Sequence, residues 1–418
     1  MNTAHIHRLE NPVQHYAWGS RTSIPELLGR PSPAEQPWAE LWMGAHAVAT
    51  SRVRGDEGSE PLDAFIARDP EAVLGPAVAR HFAGGLPFLF KVLAAAAPLS
   101  IQAHPSLAQA REGFARENRA GVALDAPERC YRDANHKPEL LCALTPFHAL
   151  NRFREPREIA ERFAALGEPA IAAAVAVLKS RTDRDGLAAF FAALWSLALP
   201  ARRALVASAV AWARSGVDDS AARWVGELAI AYPHDIGVVA PLLLNVVELA
   251  PGEAMYLPAG ELHSYLDGTG IEIMANSDNV LRGGLTPKHV NVPELLRTLS
   301  FRAGAIERLR PHVAADGAGV YDTPTDEFSL GVLEVRPATP FVAPAERGIE
   351  ILLCTSGHGR ILGGEIHPVV RGDCFVVPAA VPDYSVEGDL TLYRATPGIP
   401  ASGAAPRSGS GASTRSAT

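Results

Sequence analysis

With only four cysteines in 418 residues, and none spaced as Cys-x-x-Cys, this chain has neither a disulfide framework nor a zinc finger, and it fits a reducing compartment. Basic charge is also scarce. The chain has 38 Lys and Arg against 46 Asp and Glu, a net charge of -8. That balance excludes a nucleic-acid binder, because a phosphate backbone demands a basic surface. A few local cations still suffice for a single phosphate, so a small anionic substrate stays open. Long apolar runs are missing too, since Pro or Arg breaks each one before the roughly 18 residues of a membrane span. Residues 1–14 contain no apolar stretch of the secretory kind, so a cytoplasmic protein without membrane partners is expected. The chain is 47% apolar and 20% charged, which allows a large core and excludes bulk disorder. At roughly 100–200 residues per domain, the length allows two or three units.

The organisation changes along the chain. In the first hundred residues, strand-like pieces such as Leu86-Pro-Phe-Leu-Phe-Lys-Val-Leu93 sit among Pro and Gly turns. A short helix is expected over 107–118, after Pro105-Ser106. Residues 155–235 are Ala-rich with helical periodicity. Leu187, Phe190, Phe191, Leu194 and Leu197 share a face that Trp195 widens, with Asp185 as the expected N-cap and Pro200 as the stop. Such a stripe can line a ligand pocket, but a plain helical core explains it with less. From Asn245 the pattern turns to strands: 246–249, a Pro-Gly turn, then 254–257, with more strands over 330–397.

Gly252-Glu-Ala-Met-Tyr-Leu-Pro-Ala259 is echoed by Gly372-Asp-Cys-Phe-Val-Val-Pro-Ala379. The echo is either a common turn-strand-turn or the mark of two related β-barrel halves of the jelly-roll kind. Eleven residues beyond the first Gly stands His263, and the same offset from Gly372 gives Asp383. The second half therefore reads as a scaffold without the imidazole. The Gly/Ala/Ser/Thr tail is expected to be disordered.

Several segments carry chemistry. Gln102-Ala-His104 follows a strand-like run, and residues two apart on an extended chain face the same way. Lys137-Pro-Glu139 behaves alike, because the proline favours an extended Lys137. Glu261-Leu-His263-Ser-Tyr265 adds a second imidazole. Two His, one Glu and one Gln form a nitrogen/oxygen donor set that suits zinc and other divalent transition metals. One carboxylate on a dication leaves a net positive centre, able to polarise a carbonyl or hold an enediolate oxygen. With long intervals and 14 histidines, spacing alone does not single out this set.

The polar run from Gly270 to His289 contains Glu272, Asp278, Arg282, Gly283-Gly284 and Lys288. Ile271 and Ile273 would face the core while Glu272 faces the other way, as a candidate base. Arg282 beside the glycines can reach an anion, or the run can be a solvated surface loop. Neither Gly84-Gly85 nor Gly283-Gly284 fits a P-loop, and there is no Gly-x-Ser-x-Gly elbow.

The segments Asn11-Pro-Val-Gln-His-Tyr-Ala-Trp-Gly19, Glu40-Leu-Trp-Met-Gly44, Leu99-Ser-Ile-Gln-Ala-His-Pro105, Asn135-His-Lys-Pro-Glu139 and the 270–289 run closely resemble type I phosphomannose isomerases. The resemblance is strong over about residues 8–300, in chain order, and vague beyond. It implies a mainly β fold with a helical insertion: a cupin-type double jelly-roll barrel plus an α-helical domain. The implied division is a catalytic unit of 1–152 and 239–320, a helical insertion of 153–238, a C-terminal unit of 321–398 without metal ligands, and a tail of 399–418.

The resemblance also implies one Zn²⁺ per chain, held by Gln102, His104, Glu139 and His263. It implies Arg282 as catalytic arginine, Lys137 and Glu272 as catalytic pocket residues, and His136 in proton transfer. Trp18, Ser100, Tyr265, Asp278 and Lys288 would contact substrate. Ser264 stands where the family often has Ala, a small departure.

The implied reaction interconverts D-mannose 6-phosphate and D-fructose 6-phosphate through a cis-enediol, in a monomeric protein. A base near C1 and C2 and an electrophile at the oxygens are required. Glu272, Lys137 and His136 are the base candidates, and a lysine base would have to be neutral. Two other readings remain. A different cupin enzyme, such as an oxygenase, would favour iron and consume O₂. A non-catalytic sugar-phosphate binder would be expected to have lost Arg282 or a ligand, and this sequence has all of them.

Overall fold

The computed structural model describes residues 1–55 and 58–400, in two eleven-stranded sheets and a set of helices. The apolar run near residue 90 forms the strand Phe88–Ala95, buried along its whole length. It lies between Glu40–His46 on one side and His263–Ala275 on the other, all antiparallel. Flanked by ladders on both sides, its single charged residue, Lys91, must find its partners inside the protein.

His263–Ala275 organises this first sheet. Its early residues pair with Phe147–Phe153, and His263 with Gln102 of Ile101–Ala103. Its later residues pair with Phe88–Ala95 and Glu139–Ala143. Ile271 and Ile273 enter the core, while Glu272 points to a cavity shared with Tyr265. Seven residues separate Tyr265 from Glu272, an odd step that on a regular strand would put them on opposite faces. The strand must change face between them, and Gly268 lies there with φ 119. A side chain at that glycine would meet the Pro146 carbonyl at 2.7 Å.

The second sheet contains Ser329–Val335, Glu350–Gly363, Glu365–Val370, Cys374–Val377 and Ser385–Thr396. It also takes in His312–Val313, before the expected boundary at 321, and Gly319–Tyr321, which runs across it. At its other edge His7–Glu10 pairs with Cys374–Val377 and carries Arg52–Gly55 and Gly58–Pro61. The chain's first segment thus extends the C-terminal sheet, a pairing that local patterning cannot reveal.

The internal echo is geometric as well as textual. Ala254–Leu257 pairs with Glu139–Ala143, and Cys374–Val377 with Glu350–Gly363. Gly252 donates its N–H to the Ala143 carbonyl as Gly372 does to that of Cys354, at 2.9 and 2.8 Å. The Ala143 and Cys354 amides return bonds to Glu253 and Asp373, both at 2.9 Å. The strand before the first turn, Leu244–Leu249, pairs with Phe147–Phe153 and not with Ala254–Leu257.

Between the sheet strands run the helices Pro156–Ala165, Ala172–Ser180, Arg184–Trp195, Leu199–Ala213 and Ser220–Ala231. Leu187, Phe190, Phe191, Leu194 and Trp195 are buried in one hydrophobic cluster, with Leu197 packed against it. The N-cap of Arg184–Trp195 is Asp183, which accepts from the Gly186 amide, and not Asp185. Pro200 sits in the first turn of the next helix, where its missing N–H costs nothing. Trp195 stacks on Phe191 and donates to the Gly283 carbonyl at 2.6 Å, tying the helices to the Gly283-Gly284 segment. The expected helix near 107 is Leu107–Arg119, started by a reciprocal Ser106–Gln109 capping box. No single helix among the described residues is long and apolar enough to cross a membrane. The tail expected to be disordered lies, from 401 onward, outside the described residues.

Candidate metal centre and substrate cavity

His104, Glu139 and His263 converge from three strand ends, each about 1% exposed, with one potential donor atom apiece within 4.8 Å of the others. Both imidazoles are oriented by backbone. Nδ1–H of His104 donates to the Asn279 carbonyl at 2.7 Å, and that of His263 to the Glu261 carbonyl at 3.0 Å. Each Nε2 is thereby turned toward Glu139, 3.4 Å from its oxygens. His104 Nε2, His263 Nε2 and Glu139 Oε2 are buried without a hydrogen-bond partner. Three convergent orphaned donors would be costly unless a cation took them up. Burial holds the His104 ring below its ordinary pKa, so it is neutral, as a ligand must be. Burial opposes ionisation of Glu139, but the positive charge around it, with the Lys137 ammonium at 3.3 Å, outweighs that, and its carboxyl lies well below the usual range. The donor set therefore fits a divalent metal.

Gln102 pairs across the ladder with His263 on one side and Arg282 on the other. Opposed residues on one rung leave the sheet on the same face, so the Gln102 amide stands beside the histidine. Gln102 and Glu139 line a cavity of about 540 Å³ together with Trp18, Ser100, Lys137, Tyr265, Glu272, Asp278, Arg282 and Lys288. His104 and His263 stand behind the lining at the metal trio, and His136 alone among the expected residues belongs to neither. It is absent from the lining, and its Nε2 is 2.6 Å from Glu327 of the C-terminal part.

One wall is a buried charge relay. Lys91 donates to Glu272 Oε2 at 2.9 Å and lies 3.8 Å from Glu40, which itself accepts from the Trp42 indole at 2.6 Å. Tyr265 donates to the other oxygen of Glu272 at 3.0 Å. Burial works against the charge on Lys91, but Glu272 and Glu40 raise its pKa, so it stays a cation. Burial pushes Glu40 up, and burial with nearby carboxylates pushes Tyr265 far up, leaving the phenol a donor.

The mouth is cationic. Burial and then Arg132 lower Arg282, and burial with Arg282 and Arg132 lowers Lys288. Mutual repulsion among three cations at one cavity end is relieved by an anion. Asp278 lies 3.5 Å from His46.

Sequence reasoning did not single out Lys91, Glu40, Arg132 or Asn279. The signal for Lys91 was present: a lone lysine in an apolar strand needs a buried carboxylate, and Glu272 between two isoleucines is the matching lone acid.

Comparison with known proteins follows the same lines. The family model "Phosphomannose isomerase type I, catalytic domain" matches residues 6–156. Mannose-6-phosphate isomerase of Escherichia coli K12 is 42% identical over 396 residues, covering 93% of this chain and 99% of the relative. The human enzyme of the same name is 34% identical over 386 residues, covering 85% of this chain and 89% of the relative. Among solved structures, a zinc-bound mannose 6-phosphate isomerase superposes with a TM-score of 0.86 at 37% identity, over 94% of this chain and 100% of that one. A mutant of phosphomannose isomerase from Salmonella typhimurium gives 0.87 at 37% identity with the same coverage.

Proposed function

The chain belongs to the type I phosphomannose isomerase family, and from that premise we propose how its cavity divides the work of moving a proton between C1 and C2 of a hexose 6-phosphate. It is an isomerase of mannose 6-phosphate, with zinc as its metal. We take Gln102, His104, Glu139 and His263 as the ligands, where zinc supplies a Lewis-acidic positive centre. The observation that carries the reading is the buried trio of orphaned donors, set in a cavity whose mouth bears Arg132, Arg282 and Lys288.

The sugar phosphate enters with its anionic end toward Lys288, Ser100 and Arg132 and its ring against Trp18. Once the ring has opened, Glu272 takes the C2 proton of the aldose. A cis-enediol results, and the proton returns to C1 while a hydroxyl proton moves from O2 to O1, giving the ketose. Glu272 suits this task because Lys91 and Tyr265 hold its two oxygens. Lys137 and Arg282 stabilise the negative charge that develops on the enediol oxygens. Asp278, paired with His46, helps orient the open chain.

We read the two sheets as paired jelly-roll units of the cupin kind, one catalytic and one C-terminal, with residues 153–238 inserted as the helical domain. The repeated turn at Gly252 and Gly372 supports this. A monomeric, cytoplasmic enzyme completes the proposal.

The test is the conversion of mannose 6-phosphate to fructose 6-phosphate before and after chelation. Activity should vanish with the chelator and return with Zn²⁺. A folded, zinc-loaded protein without activity would overturn the reading and turn attention to unphosphorylated sugars and oxygen uptake.

A further inference from the structure

We propose that Glu327 is a positioning residue of the isomerase site: its hydrogen bond to His136 fixes the segment that presents Lys137 and Glu139. The inference rests on the functional reading above. Residues 132–139 form a bridge between the cationic mouth, at Arg132, and the metal centre, at Glu139. The first half of the bridge is pinned locally. The Asp278 amide donates to Asp133 at 2.7 Å, and Asn279 donates to the Asn135 carbonyl at 2.9 Å. At His136 the anchor is of another kind. Glu327 lies 191 residues further on, and its Oε1 meets His136 Nε2 at 2.6 Å.

The Glu327 side chain is itself held, because Thr325 donates its hydroxyl to the second oxygen. The pair is sheltered, with side-chain exposures of 27% and 19%. Beyond His136 the backbone has little slack. Pro138 fixes its own φ and confines Lys137 to extended conformations. A displacement at His136 is therefore passed on to Lys137 and Glu139 rather than absorbed. His136 itself does not line the cavity, so its influence on the reaction runs through its neighbours. On this view the connection just before Ser329–Val335, which supplies no ligand, contributes one hydrogen bond to the chemistry.

The experiment compares Glu327→Ala, Glu327→Gln, His136→Ala and the double alanine variant, each loaded with zinc. The measurements are kcat, KM and the rate of zinc loss to a chelator. Groups that orient ligands typically change affinity or activity by roughly 10–100-fold. We expect Glu327→Ala and His136→Ala each to lower kcat and hasten zinc loss within that range, with KM little changed. The double variant should be no worse than either single one, as for partners in one bond. Glu327→Gln, whose amide oxygen still accepts, should recover most of the loss.

A His136→Ala defect far larger than that of Glu327→Ala would make His136 a proton-transfer group and overturn the proposal. So would a Glu327→Ala variant with wild-type kcat and zinc retention and only a lowered Tm, or a Glu327→Gln variant as impaired as the alanine. If the wild-type protein lacked isomerase activity the functional reading would fall, while the zinc-loss rates would still test the positioning.

Discussion

Replacing Lys91 with Met offers the most demanding test of the charge relay. The substitution conserves length and apolar packing but leaves Glu272 and Glu40, formerly 2.9 and 3.8 Å from the ammonium, facing one another in the core without a cation. Removing one partner of a buried ion pair typically costs about 3–5 kcal/mol. At roughly 2–4 °C per kcal/mol for a domain of this order, the expected fall in Tm is about 6–20 °C. The loss should depend on pH. Burial lifts Glu40 even with Lys91 present, and without that cation it moves higher still. Carboxyls with a raised folded-state pKa destabilise the fold progressively as pH rises from their unfolded value through the folded one. The variant should therefore approach the wild type near pH 5 and lag it most at neutral pH and above. Chemical denaturation at pH 5, 6, 7 and 8, with zinc saturating, measures this directly. Adding Glu40→Gln should restore part of the loss, since it removes one of the stranded charges. A deficit below about 1 kcal/mol at pH 7, flat across the series, would mean that solvent reaches the pair and that the buried-relay argument is wrong.

Other outcomes follow from the same geometry. His263→Ala removes one of three convergent donors and should abolish stoichiometric zinc by elemental analysis, whereas full occupancy would remove His263 from the ligand set. Arg282→Ala should keep its zinc and its fold but lose roughly 10²–10³ in kcat, the usual cost of removing one donor to a developing oxyanion. Equal loss of metal and of secondary structure would instead make Arg282 structural. Trp195→Phe deletes the 2.6 Å bond to the Gly283 carbonyl and strands that acceptor, so it should cost about 1–3 kcal/mol in denaturant unfolding. An unchanged midpoint would mean that the helices do not brace the Arg282 segment.

Features set by local pattern were legible in the sequence, and features set by distant pairing were not. The Phe88–Ala95 strand, the helix after Ser106 and the Ala-rich helices all announced themselves by apolar spacing and caps. Two-residue spacing placed Gln102 near His104 and Lys137 near Glu139, because extended backbone makes that a local matter. The helix start at Asp183 was misplaced by two residues, since both aspartates are chemically fit and only the Gly186 amide decides between them. The addition of His7–Glu10 to the C-terminal sheet could not be read, as nothing in four residues names a partner more than 360 positions away. For the same reason the contact of His136, which the resemblance put in proton transfer, with Glu327 could not be read. The histidine's neighbours Lys137 and Glu139 face the cavity, but Glu327 claims its ring.

The two halves of the echo also explain why the metal belongs to one of them. Glu139 pairs with Leu257, and Glu350 occupies the corresponding rung opposite Val377. Both carboxylates are about 1% exposed, so each needs positive charge brought to it. Around Glu139 the sequence supplies the Lys137 ammonium and two imidazoles whose Nε2 atoms have no partner, a set that leaves room for a further cation. Around Glu350 it supplies the cations themselves. Arg394 lies 3.5 Å from one oxygen, Arg347 lies 3.8 Å from the other, and Tyr384 donates its hydroxyl at 2.5 Å. Burial lifts the Glu350 carboxyl, and these three groups pull against it. A guanidinium does not give up its proton, so it cannot turn into a ligand as a histidine can. The residue at the His263 offset, Asp383, is exposed rather than aimed inward. The two halves thus compensate a buried carboxylate on the same rung in two ways, and among the described residues the half that turns imidazole nitrogens toward it is the one with a place for a metal ion.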